Sequence, residues 1–162
     1  MRSVLEEALP LVAAAATLEK KAIVNARVLN EAPDYGSAFS RGLRIDIGNV
    51  VLLLISGTAS IDEHGNTVHP GDFRAQQRRT YANISGLLAA EGATWRDIIR
   101  TTCYLRDIER DYAAFNEERT RFFAEQGLDP LPASTGIQAI LCRPDLLVEI
   151  EAMALFIKRD KE

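Results

Sequence analysis

Residues 146–157 read LLVEIEAMALFI, and the arrangement of this stretch decides the fold. Side chains alternate along a strand, so Leu147, Met153, Leu155 and Ile157 share one face. Leu146, Val148, Ile150 and Phe156 take the other. A strand that is apolar on both faces must be covered on both. The remaining chain offers two long amphipathic helices, enough for one face of a sheet. The expected architecture is therefore α+β, a mixed sheet backed by two helices in a single domain. The second face needs another cover, and a further copy of the chain is the economical one.

The helices follow from spacing. Asp72 precedes Phe73, Gln77, Tyr81, Ile84 and Leu88, which recur every three or four residues until Gly92. Ile108, Tyr112, Phe115, Arg119 and Phe122 repeat the pattern, placing a second helix over 109–126. Between them TWRD makes a short turn and residues 98–107 a strand. Earlier, residues 22–30 (AIVNARVLN) read as a first strand. Residues 38–47 and 50–61 read as two more, joined at Gly48-Asn49. Residues 134–141 and 146–157 complete the sheet, linked by the CRPD turn. The stretch 1–21 has Glu6, Glu7 and Pro10 around a short alanine-rich run. It reads as an N-terminal helical extension to a 22–162 domain, too weak for a membrane span or a signal peptide.

Composition bounds the function. The 162 residues are 47% hydrophobic and 26% charged, ordinary for a soluble domain. A net charge of −4 argues against a nucleic-acid surface. The two cysteines, Cys103 and Cys142, form no zinc or redox spacing and suit a reducing cytoplasm. His64 and His69 lie in a turn-rich segment without a ligand spacing, so no metal is expected. Dinucleotide and phosphate-loop motifs are missing, so no cofactor is expected. RAQQRR (74–79) needs no ligand as a solvated helix face.

Glu149 and Glu151 sit on one strand face, about 7 Å apart. A carboxyl group among Leu147 and Met153 is costly to ionise, and a raised pKa suits a general acid or base. A CRPD turn centred near Arg143 would put Glu151 opposite Gly136 in the strand that opens PAST. Ser134 and Gly136 point the same way, so acid, hydroxyl and open space would share one pocket at a subunit boundary.

The stretches GN…ISGTA, LLAAEGA…DI…TTCYLRD, YAAFNEERTRFF, PAST and VEIEA together resemble the Rid/YjgF family over residues 38–157. The resemblance implies a chorismate-mutase-like fold, a homotrimer and ligand clefts between subunits. It implies hydrolysis of a small imino or enamino acid to a keto acid and ammonia. It also implies Glu151 as the water-placing catalytic acid/base, with Ser56, Asn116 and Phe39 in the cleft. Ser134, Thr135 and Gly136 would contact substrate. Three positions depart from the family pattern: Ser134 replaces an arginine that clamps the substrate carboxylate, Gly136 a cysteine, and Phe39 a tyrosine. Loss of the arginine predicts roughly 10- to 100-fold weaker binding unless another cation, Arg143 or Arg41, supplies the charge. ISGTASI, HPGD and CRPDLLVEIEA are also similar to the C-terminal half of chorismatases, so an enol ether such as chorismate is an alternative substrate. A non-catalytic trimer that binds small ligands is the other alternative.

Overall fold

The computed structural model describes residues 18–24, 26–32 and 36–159. Six strands form one mixed sheet in the order β1-β2-β3-β6-β4-β5, backed by two helices. The strands are β1 (Leu18–Ala22), β2 (Gly42–Ile47), β3 (Val50–Ala59), β4 (Ile98–Leu105), β5 (Ala133–Gln138) and β6 (Val148–Ile157). Helix α1 spans Phe73–Ala90 and α2 spans Ile108–Glu125. The α+β architecture is the one expected.

Local chemistry sets the element ends. Gly48 adopts φ +60° in the β2–β3 turn, a left-handed conformation that glycine enters without a Cβ clash. Asp72 caps α1 by accepting from Ala75 N at 3.0 Å, and Asp107 caps α2 from Arg110 N at 3.0 Å. Val51, Leu53 and Ile55 of β3 and Val148, Ile150 and Ala152 of β6 pack under Ile84, Leu87 and Leu88 of α1 and Phe115 of α2 in one core. Tyr81 stacks on Phe122 with ring centroids 4.4 Å apart, and Trp95 meets Phe122 edge-on at 4.9 Å. These contacts clamp the two helices together.

The sequence reading needs correction in three places. The first strand is Leu18–Ala22 rather than 22–30. Arg27 takes φ +61°, which ends extended structure, while Ile23, Ala26 and Leu29 turn into the core. Residues 18–21, expected in a helix, pair with β2 instead; residues 1–17 of that expected helix lie outside the described residues. The third correction concerns the site. β5 and β6 are not a hairpin. β5 runs parallel to β4 at the sheet edge, and β6 inserts between β3 and β4. The physical reason lies in composition. The doubly apolar strand takes the central place with two neighbours, and the polar, glycine-bearing ASTGIQ takes the edge.

The other sheet face carries Leu52 and Leu54 of β3 beside Leu155 and Met153 of β6. Leu155 is 44% exposed and Ile157 57%. Among the described residues nothing covers this apolar face.

Candidate functional site

Most of the expected site residues fall into two groups, on opposite faces of the sheet. The first lies where β3 meets β6. Their pairing shifts register between Ile55 and Thr58, so Ser56 and Gly57 bulge out of the ladder and Ala59 lies opposite Glu149. A Cβ on Gly57 would sit 2.0 Å from Glu149 Oε1, so the glycine makes the room that the carboxyl group occupies. Ser56 Oγ donates to Ser40 O at 2.7 Å, tying the bulge to the segment that carries Phe39. Phe39, Arg41, Ser56, Arg143 and Glu149 line a cavity of about 320 Å³. The Arg41 guanidinium lies 5.5 Å from the Phe39 ring centroid and donates from Nε to Asn30 O at 2.8 Å. Arg143 Nη1 donates to Gly65 O at 2.7 Å, so it lines the cavity while bracing the neighbouring loop.

Burial pushes the Glu149 carboxyl above its ordinary range, and the Glu151 charge pushes it further in the same direction. The strand that presents Glu149 is fixed from behind by Gln76 of α1. Its side chain accepts from Leu147 N at 2.8 Å and donates to His69 O at 3.1 Å and to Asp145 O at 2.8 Å. Three backbone groups just before β6 and at the head of α1 are thereby held by one buried amide.

Glu151 does not join this cavity. It lies opposite Thr102 of β4, in a shallow depression of about 190 Å³ with Leu54, Arg100 and Met153. Burial, then the charge of Glu151 and its hydrogen bond, raise the Tyr104 hydroxyl pKa.

The second group stands at the β5 edge. Thr101 of β4 is level with both Ser134 and Ala152, and Cys103 with both Gly136 and Ile150. Ser134 and Gly136 therefore face the helices, while Glu149 and Glu151 alternate onto the other face. The expected meeting of Ser134, Gly136 and Glu151 in one pocket of a single chain does not occur, because it depended on the hairpin. Ser134 Oγ accepts from Thr101 Oγ1 at 3.0 Å and from Arg119 Nη1 at 3.2 Å. Arg119 Nη2 donates to Asn116 Oδ1 at 2.6 Å, so Asn116 and Ser134 meet through Arg119. A Cβ on Gly136 would meet nothing within 4 Å. Thr135 points to the opposite face from Ser134, where its Oγ1 accepts from Arg100 Nη2 at 3.0 Å.

His64 and His69 form no ligand set. Asp62 Oδ1 accepts from His64 N and Asn66 N, making a local turn, and no group of side chains fit to hold a metal occurs among the described residues. No helix among those residues is long and apolar enough to cross a membrane.

A six-stranded mixed sheet with two helices on one face, and polar groups gathered at the β3–β6 bulge and the β5 edge, define a small-ligand scaffold. The family described as Endoribonuclease L-PSP matches residues 29–156. The chain belongs to this family, known also as Rid/YjgF. A RutC family protein of Haemophilus influenzae is 34% identical over 111 residues, covering 68% of this chain and 82% of that protein. The 3-aminoacrylate deaminase RutC of Acinetobacter baylyi is 33% identical over 103 residues, covering 64% of this chain and 78% of its own. Among solved structures, the YjgF gene product of E. coli matches with a TM-score of 0.68 at 26% identity, over 86% of this chain and 99% of that one. E. coli TdcF with bound serine matches with the same score, identity and coverage. Membership of this family supports a deaminase-like or small-molecule-binding role.

Two residues of these groups were not selected from the sequence: Glu149, weighed there only as the companion of Glu151, and Arg119. Glu149 has the same parity as Glu151, so alternation alone does not choose between them; the bulge at Ser56-Gly57 does. Arg119 read as one position of a helical repeat, and nothing in its spacing marks its reach to Ser134.

Proposed function

We propose that the protein is a homotrimeric hydrolase of the deaminase type, acting on a small carboxylate-bearing imine or enamine at clefts between copies. The observation that carries this is Glu149: a carboxyl group with a raised pKa, seated against Gly57 in a cavity shared with Ser56 and Phe39. The likeness to a 3-aminoacrylate deaminase, and to TdcF holding serine, supports a substrate of amino-acid size.

The trimer reading rests on three observations. The apolar face around Leu155 and Ile157 needs cover, and β5 is exposed along its whole length. The two half-sites also stand on opposite faces of one sheet. Closing the β5 edge of one copy over the β3–β6 bulge of the next unites Asn116, Ser134 and Gly136 with Phe39, Ser56 and Glu149.

In this cleft Glu149 takes a proton from water as the water oxygen attacks the imine carbon. Glu149 passes that proton to the nitrogen, giving a tetrahedral carbinolamine; it then takes the carbinolamine hydroxyl proton and delivers it to the amine as the C–N bond breaks, releasing ammonia and a 2-keto acid. A carboxyl pKa raised by burial and by Glu151 moves the group toward the range in which it can both take and return a proton. Glu151 acts on Glu149 through its charge, so the acid/base role moves one turn of the strand pleat from the residue that the sequence suggested. Free thiols at Cys103 and Cys142 fit a cytoplasmic setting. The net charge of −4 does not support a nuclease groove, despite the family's description.

A chorismatase-like reaction is the second reading. It is favoured by Cys142 and Arg143, which bring the CRPD segment onto the rim of the Glu149 cavity. The test is ammonia release from imino acids generated in situ, run beside chorismate turnover. Ammonia release that vanishes in Glu149→Gln supports the proposal. Chorismate consumption without ammonia release would transfer the site to the second reading, and neither activity would leave a binding protein. Light scattering that gives a stable monomer would remove the shared cleft.

A further inference from the structure

Arg119 differs from the other arginines that project from the helix layer. Arg74, Arg78 and Arg121 all close on the buried carboxylate of Glu118, and Arg110 pairs with Asp111. The partners of Arg119 among the described residues are neutral. Nη2 donates to Asn116 Oδ1 at 2.6 Å, Nη1 donates to Ser134 Oγ at 3.2 Å, and the guanidinium lies 4.9 Å from the Phe115 ring centroid. These three contacts fix the plane of the group without cancelling its charge. A guanidinium carries five N–H donors, so an edge remains for an anion.

The group borders a groove of about 450 Å³ between α2 and the start of β5, walled by Phe123, Leu128, Leu131 and Pro132. That volume suits a small organic molecule, and an apolar wall with one oriented cation suits a molecule that is anionic at one end. The hydroxyl of Ser134 is short enough to let the arginine reach across from the helix. A longer side chain on β5 would occupy the place where Arg119 now rests.

We infer that Arg119 is the anion-binding residue of the cleft, gripping the carboxylate of a small 2-oxo or 2-imino acid whose hydrocarbon part lies against Leu131 and Pro132. This deepens the deaminase reading and rests on its placing of the β5 edge within the cleft. The cation comes from α2, and Ser134 and Asn116 act as its positioning residues.

The test is calorimetric titration of the full-length protein with pyruvate and with uncharged pyruvamide. In the wild type pyruvate binds more tightly than pyruvamide. Arg119→Gln is expected to weaken pyruvate by about 10- to 100-fold and to leave pyruvamide unchanged. Arg119→Lys recovers part of the loss, because it keeps the charge but not the fork. Adding Ser134→Arg to Arg119→Gln returns a cation to the same place and restores pyruvate preference. Circular dichroism melting of each variant reads out folding separately.

The assignment falls if Arg119→Gln binds pyruvate within about twofold of the wild type, or if the wild type shows no preference for pyruvate over pyruvamide. Its failure is distinct from that of the deaminase reading. Ammonia release with an unchanged KM in Arg119→Gln sinks Arg119 and keeps the deaminase. Pyruvate binding that depends on Arg119, with no ammonia release by the wild type, does the reverse.

Discussion

The centre of the sheet and its β5 edge hold their polar groups by different means. At the centre, β6 is paired on both sides, and Glu149 is positioned by backbone ladders, a β3 bulge and the missing side chain of Gly57. At the edge, β5 has one strand neighbour, and its functional groups are linked by side chains: Thr101 to Ser134, Ser134 to Arg119, Arg119 to Asn116. The centre fixes the backbone that carries the proposed proton-transfer group. The edge offers a cation held by side-chain contacts. On the proposed reading, chemistry held by backbone and recognition held by side chains would let substrate preference change without moving the acid.

That contrast is most directly broken by Glu149→Gln. Removing a general acid/base should cost about 100- to 10,000-fold in kcat, read as ammonia release, while Glu151→Gln costs far less. The reverse order would return the role to Glu151. Gly57→Ala probes the same place from the other strand. Its methyl group meets the flexible end of Glu149 rather than backbone, so the carboxyl swings aside. The expected result is a kcat loss of about 10-fold or more with little change in melting temperature, since a misplaced acid costs rate before stability. An equal loss of both would mean that the bulge is merely packing.

Gln76→Leu tests whether the rigidity of the centre matters. It removes the side-chain partner of Leu147 N and Asp145 O, while His69 O still accepts from Asp72 N at 3.2 Å, and stranded backbone groups cost about 1–3 kcal/mol each when buried. Urea unfolding should show a drop in this range. A variant as stable as the wild type would show that these groups find other partners.

The smallest effect is the pH dependence of stability. The folded pKa of Glu149 is raised by burial and by Glu151, above an unfolded value of about 4.3. The fold therefore favours the protonated carboxyl group. The wild type gains stability relative to Glu149→Gln as pH falls through the raised folded pKa toward the unfolded one. Above that window ionised Glu149 is a burden, and Glu149→Gln should be the more stable protein. Melting curves at pH 4 to 8 test the sign, and a difference that does not vary with pH would contradict the raised value.

Much of the fold was legible because its signals are periodic. Both helices, the aspartate cap at Asp72, the Gly48 turn and the doubly apolar β6 follow from spacing and residue type. Strand order was not legible. The CRPD segment reads as a hairpin, whereas residues 139–147 carry the chain past the end of β4, with Ala139 N donating to Leu105 O and Arg106 N to Leu147 O. Pairing between distant strands is set by burial across the whole sheet, which no local window contains. The site inherited the error. Once β6 moved to the centre, Ser134 parted from Glu151, and the choice of Glu149 depended on a bulge that only the β3–β6 register reveals. Phe39, Ser56 and Arg143 line one cavity with the neighbouring acid, Glu149.

The central position of β6 also bears on how the molecule is made. Among the described strands β6 comes last in chain order, yet it closes the gap between β3 and β4 and brings Glu149 with it. Chains emerge N-terminus first, and pairings between distant segments wait for both partners. The β3 and β4 ladders on either side of the centre therefore cannot be joined until residues 148–157 have been made. A chain cut short anywhere before residue 148 would lack both the strand that joins the two halves of the sheet and the carboxyl group proposed as its acid.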